Sequence, residues 1–342
     1  MQDNVRFPAE WEPQAAILIA WPNADTDWAD RLAEVEDTYI ALVAAITRFQ
    51  HVLICVADDD VETYADIRLR SNRVDMARVR FVTVPYDDTW LRDSGPITLR
   101  DGAGFHLLDF RFTAWGGKFE AGQDDLIVEA LDAQGVFQSA ARRRIDFALE
   151  GGGIETDGNG TLLTTWQCLH ERHPDASREE LTTRLCDWLR QDRVLWLEHG
   201  ALEGDDTDAH IDTLARFAPD DAIVFQACDD ETDSHYDDLK AMADEIAALR
   251  TKDGQPYRLF PLPLAQPILD NGRRLAASYA NYLIINGAVL MPAYGDAMDE
   301  AATAVLAQAY PGREIVQVPC RPVIWQNGSL HCITMQLPEG LA

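Results

Sequence analysis

One cysteine stands in a setting that suits a nucleophile. Cys332 lies in Gly328-Ser-Leu-His-Cys-Ile-Thr334, where small residues precede the thiol and alternating apolar residues follow it. This pattern predicts a strand with Cys332 at its mouth, from which a thiol can reach a ligand. A buried structural cysteine is the commoner fate of a free thiol, so Cys332 alone does not define a site.

A histidine and an aspartate form a second candidate pair. His210 and Asp212 lie in Gly204-Asp-Asp-Thr-Asp-Ala-His-Ile-Asp212, and on a strand an i, i+2 spacing directs both side chains to one face. The segment is also compatible with a polar loop of Asx turns, or with a His-x-Asp metal site. We do not expect a metal, because no second histidine lies at ligand spacing.

Two further carboxylates accompany turn signals. Asp93 lies in Trp90-Leu-Arg-Asp-Ser-Gly-Pro96, and Glu150 begins Glu150-Gly-Gly-Gly153, a run that lets backbone approach a ligand closely. Both could be ordinary turn residues. The glycine run is not a phosphate loop, because no Gly-Lys-Ser/Thr follows it.

Taken together, one thiol, one imidazole and three carboxylates suit a planar cation that carries several N–H donors. Carboxylates pair bidentately with guanidinium, and a buried carboxylate cluster without such a cation is costly. The whole chain carries a formal charge of −29, which repels nucleic acid and anionic membranes and attracts cations. Charge alone is equally explained by a solvated acidic surface.

The elements that must position these residues follow an α/β pattern. Apolar strands are predicted at Ala15–Ile19 and Val52–Val56, and helices at Asp30–Phe49, Arg178–Leu189 and Tyr236–Leu249. No linker or low-complexity tract divides the chain of 342 residues, so we expect a single catalytic domain over 1–342.

A weak recurrence of five segments also runs through the chain. Each segment places a polar cluster beside glycine and then enters an apolar strand: Trp90–Leu99, Glu150–Ile154, Gly204–Asp212, Ser278–Gly287 and Asn327–Thr334. Five similar units around one axis would bring these polar residues to a central site. Because the spacing between the segments is irregular, the recurrence alone does not establish a structural repeat.

The cysteines and the hydropathy bear on the compartment. Six cysteines without Cys-x-x-Cys spacing indicate neither a disulfide scaffold nor a zinc ribbon. The N-terminus lacks a basic patch followed by an apolar stretch, and no apolar run approaches the length of a membrane helix. We therefore expect a cytoplasmic protein.

At these residues the chain resembles the agmatine deiminases, within the guanidine-modifying superfamily that includes the bacterial peptidyl-arginine deiminases. The likeness covers nearly the whole chain. Its ordered motifs are Phe7-Pro-Ala-Glu-Trp-Glu-Pro13, Trp21-Pro22, Asp88-Thr-Trp-Leu-Arg-Asp-Ser-Gly-Pro96, Phe112-Thr-Ala-Trp-Gly-Gly117, Glu150-Gly-Gly-Gly153, Gly204–Asp212, Tyr279-Ala-Asn-Tyr282 and His331-Cys-Ile-Thr334.

The resemblance implies a fold and a role for each site residue. The implied fold is a five-bladed α/β propeller, of the pentein type, with pseudo-fivefold ββαβ repeats around a central active site. Cys332 resembles the family's nucleophile and His210 its acid/base. By the same resemblance, Asp93 and Asp212 grip the guanidinium nitrogens, Glu150 orients His210 or the substrate, and Trp90 and Asn281 line the pocket.

Two positions depart from the family pattern. Asp208-Ala209 stands where Asn-Gly is more usual, and Ser329-Leu330 replaces a common Asn-Ile. These departures leave the reaction unaffected and put the exact substrate preference in question.

The implied reaction hydrolyses agmatine to N-carbamoylputrescine and ammonia, a step of polyamine biosynthesis toward putrescine. Cys332 would attack the guanidinium carbon, His210 would move the protons, and a covalent amidino-cysteine would form and be hydrolysed. The carboxylates should raise the pKa of Cys332 in the empty site. We expect no cofactor and no metal.

Other readings of the same residues stay open. Peptidyl-arginine and free arginine compete as substrates, and a carboxylate clamp by Arg92 or Arg111 could hold arginine. An amidinotransferase would keep the site and change the acceptor, and the same fold serves a non-catalytic ribosome-binding factor. The expected partner is a small cationic guanidine, with neither nucleic acid nor membrane bound; a homodimer is compatible with the sequence.

Overall fold

A computed structural model describes residues 5–102, 104–138 and 140–342. Its first ten strands are β1 (Val5–Arg6), β2 (Gln14–Ala20), β3 (His51–Val56), β4 (Val79–Thr83), β5 (Ile97–Asp101), β6 (Gly104–Arg111), β7 (Ala141–Ala148), β8 (Glu155–Thr156), β9 (Thr161–Thr165) and β10 (Arg193–Leu197). The remaining strands are β11 (Ala215–Ala218), β12 (Ala222–Gln226), β13 (Arg258–Leu262), β14 (Leu269–Asp270), β15 (Arg273–Arg274), β16 (Leu283–Ile285), β17 (Ala288–Ala293), β18 (Glu314–Pro319) and β19 (Met335–Pro338).

Helices alternate with these strands. They are α1 (Leu32–Ile46), α2 (Asp59–Ser71), α3 (Leu91–Ser94), α4 (Ala114–Gly117), α5 (Ile127–Ala133), α6 (Trp166–Arg172), α7 (Arg178–Leu189), α8 (Tyr236–Ala248) and α9 (Asp299–Ala309). Within the described residues, none of these helices combines the length and the apolar character needed to cross a membrane. The predicted α/β alternation is therefore confirmed.

The predicted elements agree with the observed ones to within a few residues. Helix α7 begins where predicted because a capping box forms there. The Ser177 hydroxyl accepts from the backbone N–H of Glu180, and the Glu180 carboxylate accepts from the backbone N–H of Ser177. Helix α1 is shorter than predicted, since Ala29–Arg31 forms a 3-10 turn and the helix ends at Ile46.

Five small sheets share one arrangement of strands. Each contains an antiparallel pair followed by a parallel neighbour: β5-β6-β7, β8-β9-β10, β11-β12-β13, β16-β17-β18 and β19-β2-β3. Strands β1 and β4 extend two of these sheets, and β14 pairs with β15 as a separate hairpin. Because β19 pairs with β2, the C-terminal and N-terminal parts of the chain share one sheet.

The five recurrent polar segments occupy equivalent places in these sheets. They lead into or contain β5, β8, β11, β16 and β19, the strands that begin the five antiparallel pairs. Their polar side chains therefore lie at corresponding strand ends. The apolar faces of sheets and helices meet in several buried clusters, and the largest includes Cys332 and Trp90. These two candidate site residues therefore pack directly against the apolar core.

Candidate active site

Cys332 lies in a turn three residues before β19, close to the strand mouth that its sequence predicts. Its side chain is buried, and its Sγ accepts a hydrogen bond from Asn281 Nδ2 at 3.3 Å and lies 3.8 Å from Asp212 Oδ2. Burial raises the pKa of the Cys332 thiol well above its usual value, and the charges of Asp212 and Asp93 add to the rise. In the empty site the thiol form is therefore favoured.

The strand predicted for His210 and Asp212 is wrong. His210 precedes a 3-10 turn over Ile211–Thr213, and β11 starts only at Ala215. The turn forms because the Thr207 hydroxyl accepts from the His210 backbone N–H and the Thr213 hydroxyl donates to the His210 carbonyl. Both His210 and Asp212 are nevertheless fully buried.

The His210 ring lies between carboxylates. Its Nδ1 lies 3.6 Å from Asp93 Oδ1, and its Nε2 lies 3.5 Å from Glu150 Oε2. Burial opposes protonation, but Asp93, Cys168 and Glu150 together raise the pKa of His210 well above its usual value. An imidazolium held this way can donate a proton to a leaving group.

Asp93 is fixed by two neighbours. Its Oδ1 accepts from the Gly152 backbone N–H and its Oδ2 accepts from Trp115 Nε1, both at 2.9 Å. Burial raises the pKa of Asp93 to about 6; His210 opposes the rise, and nearby carboxylates add to it. A Cβ on Gly152 would lie 2.6 Å from His210 Nδ1 and 2.7 Å from Asp93 Oδ1, so a glycine at this position leaves room for these two side chains.

A second histidine, His331, contacts Asp212. Asp212 Oδ2 lies 2.7 Å from His331 Nδ1, and His331 Nε2 lies 2.7 Å from Glu10 Oε2. Glu10 also accepts from Arg216 Nη2 at 2.9 Å. Although burial opposes ionisation, His331, His210 and Arg216 lower the pKa of Asp212. Its Oδ1 is buried without a hydrogen-bond partner among the described residues, so one oxygen remains for a ligand.

Glu150 is paired with an arginine as well as facing His210. Arg172 Nε donates to Glu150 Oε1 at 2.8 Å, and Arg172 Nη1 donates to Asp208 Oδ2 at 2.6 Å. Burial opposes ionisation, but His210 and Arg172 lower the pKa of Glu150. Asp208 and Ala209 both have φ of 65°, the left-handed conformation that the more usual Asn-Gly adopts with less strain.

A cavity of about 230 Å³ leads to Cys332. Trp90 and Asp93 line it, together with aromatic and acidic residues that include Phe112, Trp115, Phe119, Trp325, Asp27, Asp88, Asp124 and Asp206. Among the described residues, no lysine or arginine lines this cavity. Arg92 is buried against Gln336 and Glu10, and Arg111 pairs with exposed Asp146, so neither reaches it.

The structure brings all seven predicted site residues into one neighbourhood. Contacts join Cys332 with Asn281 and Asp212, and join His210 with Asp93 and Glu150. Trp90 lies against Gly328, where a Cβ would collide with the indole ring.

Sequence reasoning did not single out the residues that support this set: Glu10, Trp115, Cys168, Arg172, Arg216 and His331. Glu10, Trp115 and His331 lie within the motifs Phe7–Pro13, Phe112–Gly117 and His331–Thr334, and that membership was the available signal. For Arg216, whose partners lie 61 and 206 residues away along the chain, no local signal existed.

Comparison with known proteins places the chain in a family. Residues 6–338 match the profile of the Porphyromonas-type peptidyl-arginine deiminases, and the chain belongs to this family. The agmatine deiminase of Stutzerimonas stutzeri strain A1501 is 33% identical, over 98% of this chain and 96% of the relative.

Solved structures agree over the full length. A C. jejuni agmatine deiminase with a cysteine-to-serine substitution and substrate bound is 33% identical, with a TM-score of 0.91 over 100% of this chain and 99% of that one. A Porphyromonas gingivalis protein provisionally named an arginine deiminase is 43% identical, with a TM-score of 0.90 over 98% and 99% of the two chains. The mixed α/β fold is therefore shared with these enzymes.

Proposed function

We propose that this protein is an agmatine deiminase, which hydrolyses agmatine to N-carbamoylputrescine and ammonia. The observation that carries the choice of substrate is the cavity that ends at Cys332, which five aspartates and, among the described residues, no lysine or arginine line. Agmatine presents a guanidinium to the thiol and an ammonium to the outer carboxylates. Free arginine would bring its carboxylate to the same acidic surroundings, where like charges repel.

The outer carboxylates support this choice. Burial and the neighbouring Asp27 raise the pKa of Asp88 to about 7, and burial raises the pKa of Asp124 to about 7. The raised pKa values show that no nearby cation among the described residues compensates the charge of these two carboxylates, and an ammonium bound in the cavity would do so. Lys118 Nζ donates to Asp208 Oδ2 at 2.8 Å and to the backbone carbonyl of Asp206 at 2.5 Å.

The reaction begins with binding of the guanidinium. Asp93 and the free Oδ1 of Asp212 accept its N–H groups, and the added positive charge lowers the pKa of the Cys332 thiol. The thiol proton passes to solvent, and the thiolate attacks the guanidinium carbon and forms a C–S bond. His210 then donates a proton to one nitrogen, its C–N bond breaks, and ammonia leaves an amidino-cysteine.

Hydrolysis reverses these roles. His210, now neutral, takes a proton from water, and the resulting hydroxide attacks the amidino carbon. The C–S bond then breaks as the hydroxyl proton of the adduct passes to the departing sulfur, which releases N-carbamoylputrescine and restores the Cys332 thiol. Glu150 keeps His210 in place, with Arg172 fixing the Glu150 carboxylate. Trp90 and Asn281 complete the pocket walls around the thiol. No cofactor or metal takes part in this scheme.

We infer that residues 1–342 form a single catalytic domain, a five-bladed α/β propeller of the pentein type, because five sheets share one strand order and their polar segments lie at equivalent strand ends. Cytoplasmic location and a homodimer are further predictions, which cell fractionation and sedimentation would test. The formal charge of −29 supports the absence of nucleic-acid and membrane partners.

The test is product formation by the purified protein with agmatine, free arginine or an arginine peptide, each assayed for ammonia and the ureido product. Turnover of agmatine far above the other two, lost in Cys332→Ala, is the expected result. Preferred turnover of arginine would instead support the name given to the Porphyromonas gingivalis relative, and products formed only with an added amine would indicate an amidinotransferase.

A further inference from the structure

Behind His210 lies a cluster of groups that the proposed reaction uses only in part. Glu150, Cys168 and His210 each place one potential ligand atom within 4.8 Å of the other two. All three side chains are buried. Cys168 belongs to α6, Glu150 precedes the glycine run, and His210 precedes the 3-10 turn, so three separate segments converge on this point.

His210 points an unsatisfied nitrogen into the cluster. Among the described residues, neither of its ring nitrogens has a hydrogen-bond partner, although the ring is fully buried. Nε2 lies 3.5 Å from Glu150 Oε2, which is close to the separation of two ligands around a tetrahedral zinc ion. Arg172 occupies the other Glu150 oxygen, so Oε2 is available.

We propose that Glu150, Cys168 and His210 form a site for a borderline divalent cation, Zn²⁺, and that its occupancy stops the reaction. Imidazole, thiolate and carboxylate are all zinc ligands, and a water would complete the tetrahedron. The ligands supply two negative charges when Cys168 and Glu150 are ionised, which balance the ion. This is an inhibitory site and differs from a cofactor site.

Inhibition follows from the position of the metal, and this step rests on the role proposed for His210. Zinc bound at Nε2 replaces the proton there and leaves His210 without the imidazolium form that the leaving ammonia requires. Because all three ligands are buried, inhibition should develop slowly during preincubation.

The test compares Cys168→Ser and Cys168→Ala with a matched control, Cys186→Ser, whose thiol is partly exposed on α7. Wild type and Cys186→Ser should lose agmatine turnover after preincubation with ZnCl₂ and regain it with EDTA. The Cys168 variants should turn over agmatine and tolerate at least about 100-fold more zinc, since even loss of a residue behind a ligand weakens metal binding 10–100-fold. Equal zinc sensitivity in wild type and a folded, active Cys168 variant would overturn the proposal.

A second readout does not depend on turnover. CoCl₂ added to Cys332→Ser should produce a thiolate-to-cobalt absorption band, which disappears when Cys168→Ser is combined with it. This band remains measurable if agmatine proves not to be the substrate, so the site and the proposed function can fail separately. The absence of a thiolate band in Cys332→Ser would also contradict the proposal.

Discussion

The pKa values of the carboxyl groups are shifted in opposite directions on the two sides of the site. On the cavity side, Asp88, Asp93 and Asp124 have raised pKa values, of about 7, 6 and 7. On the protein side, Glu10 and Asp212 have lowered pKa values although both are just as deeply buried. The same residue types, in one small volume, therefore behave differently.

The difference lies in the polar and charged partners that each side already has. Arg216 and His331 hold Glu10, and His331 holds Asp212, whereas no lysine or arginine among the described residues lines the cavity. Glu155 and Asp93 are exceptions, because burial raises the pKa of each carboxyl although Arg216 contacts Glu155 and His210 faces Asp93. The protein thus completes its interior charges by itself and leaves the cavity charges for a cationic ligand to complete.

Asp93→Asn should break the cavity side most severely. The substitution keeps an acceptor for Gly152 or Trp115. It removes the charge that raises the pKa of His210 and that we propose binds the guanidinium. We expect kcat/KM for agmatine to fall about 10³-fold. Asp101→Asn, at a partly exposed pair with His106, serves as the control and should leave kinetics unchanged. Less than a tenfold loss in Asp93→Asn would argue against its role.

Glu10→Gln should disrupt the buried charge network on the protein side and lower the stability of the fold. It leaves the fully buried Arg216 with Glu155 as its remaining carboxylate partner, so the free energy of unfolding should fall by about 3 kcal/mol. Glu12→Gln, in the same segment but paired with the half-exposed Arg6, should cost less than about 1 kcal/mol. Urea unfolding measures both, and equal losses would show that the buried network is not special.

The pH dependence of substrate binding should report the cavity carboxylates. Because the pKa of Asp88 is about 7 in the empty cavity, this group is protonated below that pH and cannot pair with the agmatine ammonium. KM for agmatine should therefore rise as pH falls through 7.

Substitution at Asp88 sharpens this test. Asp88→Asn should raise KM for agmatine about tenfold at pH 8 and flatten its rise at lower pH. Butylguanidine, which lacks the second cation, controls for Asp93, whose pKa of about 6 affects both compounds. An identical response of both compounds to Asp88→Asn would place the ammonium elsewhere.

The smallest expected effect concerns the loop that carries His210. Ala209 has φ of 65°, which costs an L-residue about 1–2 kcal/mol. Ala209→Gly should therefore stabilise the protein by about 0.5–1 kcal/mol, after allowing for the greater freedom of glycine in the unfolded chain.

A helical alanine provides the control of opposite sign. Ala304→Gly, at an exposed position of α9, should destabilise by about 1 kcal/mol. Thermal unfolding would separate the two substitutions. A lower melting temperature for Ala209→Gly would show that the loop conformation carries no strain.

Local sequence patterns were sufficient for much of the fold. The capping residues Ser177 and Glu180 mark α7, and apolar runs mark β2 and β3, because these signals act within a few residues. Prediction failed for His210 and Asp212, whose i, i+2 spacing was interpreted as a strand in preference to a polar loop. Side-chain hydrogen bonds from Thr207 and Thr213 stabilise a 3-10 turn there instead.

The site was predictable as a set of residue types, and less so as an arrangement. Motifs named the thiol, the imidazole and the carboxylates. They did not reveal that Cys168 lies behind His210 or that His331 bridges Asp212 and Glu10, since those contacts join distant parts of the chain. Charge placement depends on the tertiary fold, which a local pattern does not encode.

The most direct test of the central claim is the identity of the sulfur that attacks agmatine. Turnover should be quenched rapidly with acid, and the protein digested and mapped by mass spectrometry, in wild type, Cys332→Ser and Cys168→Ser. The account predicts an adduct equal to agmatine less ammonia on the peptide that contains Cys332, present in Cys168→Ser and absent, together with ammonia release, in Cys332→Ser. Undiminished ammonia release by Cys332→Ser, or the adduct on Cys168, would contradict it.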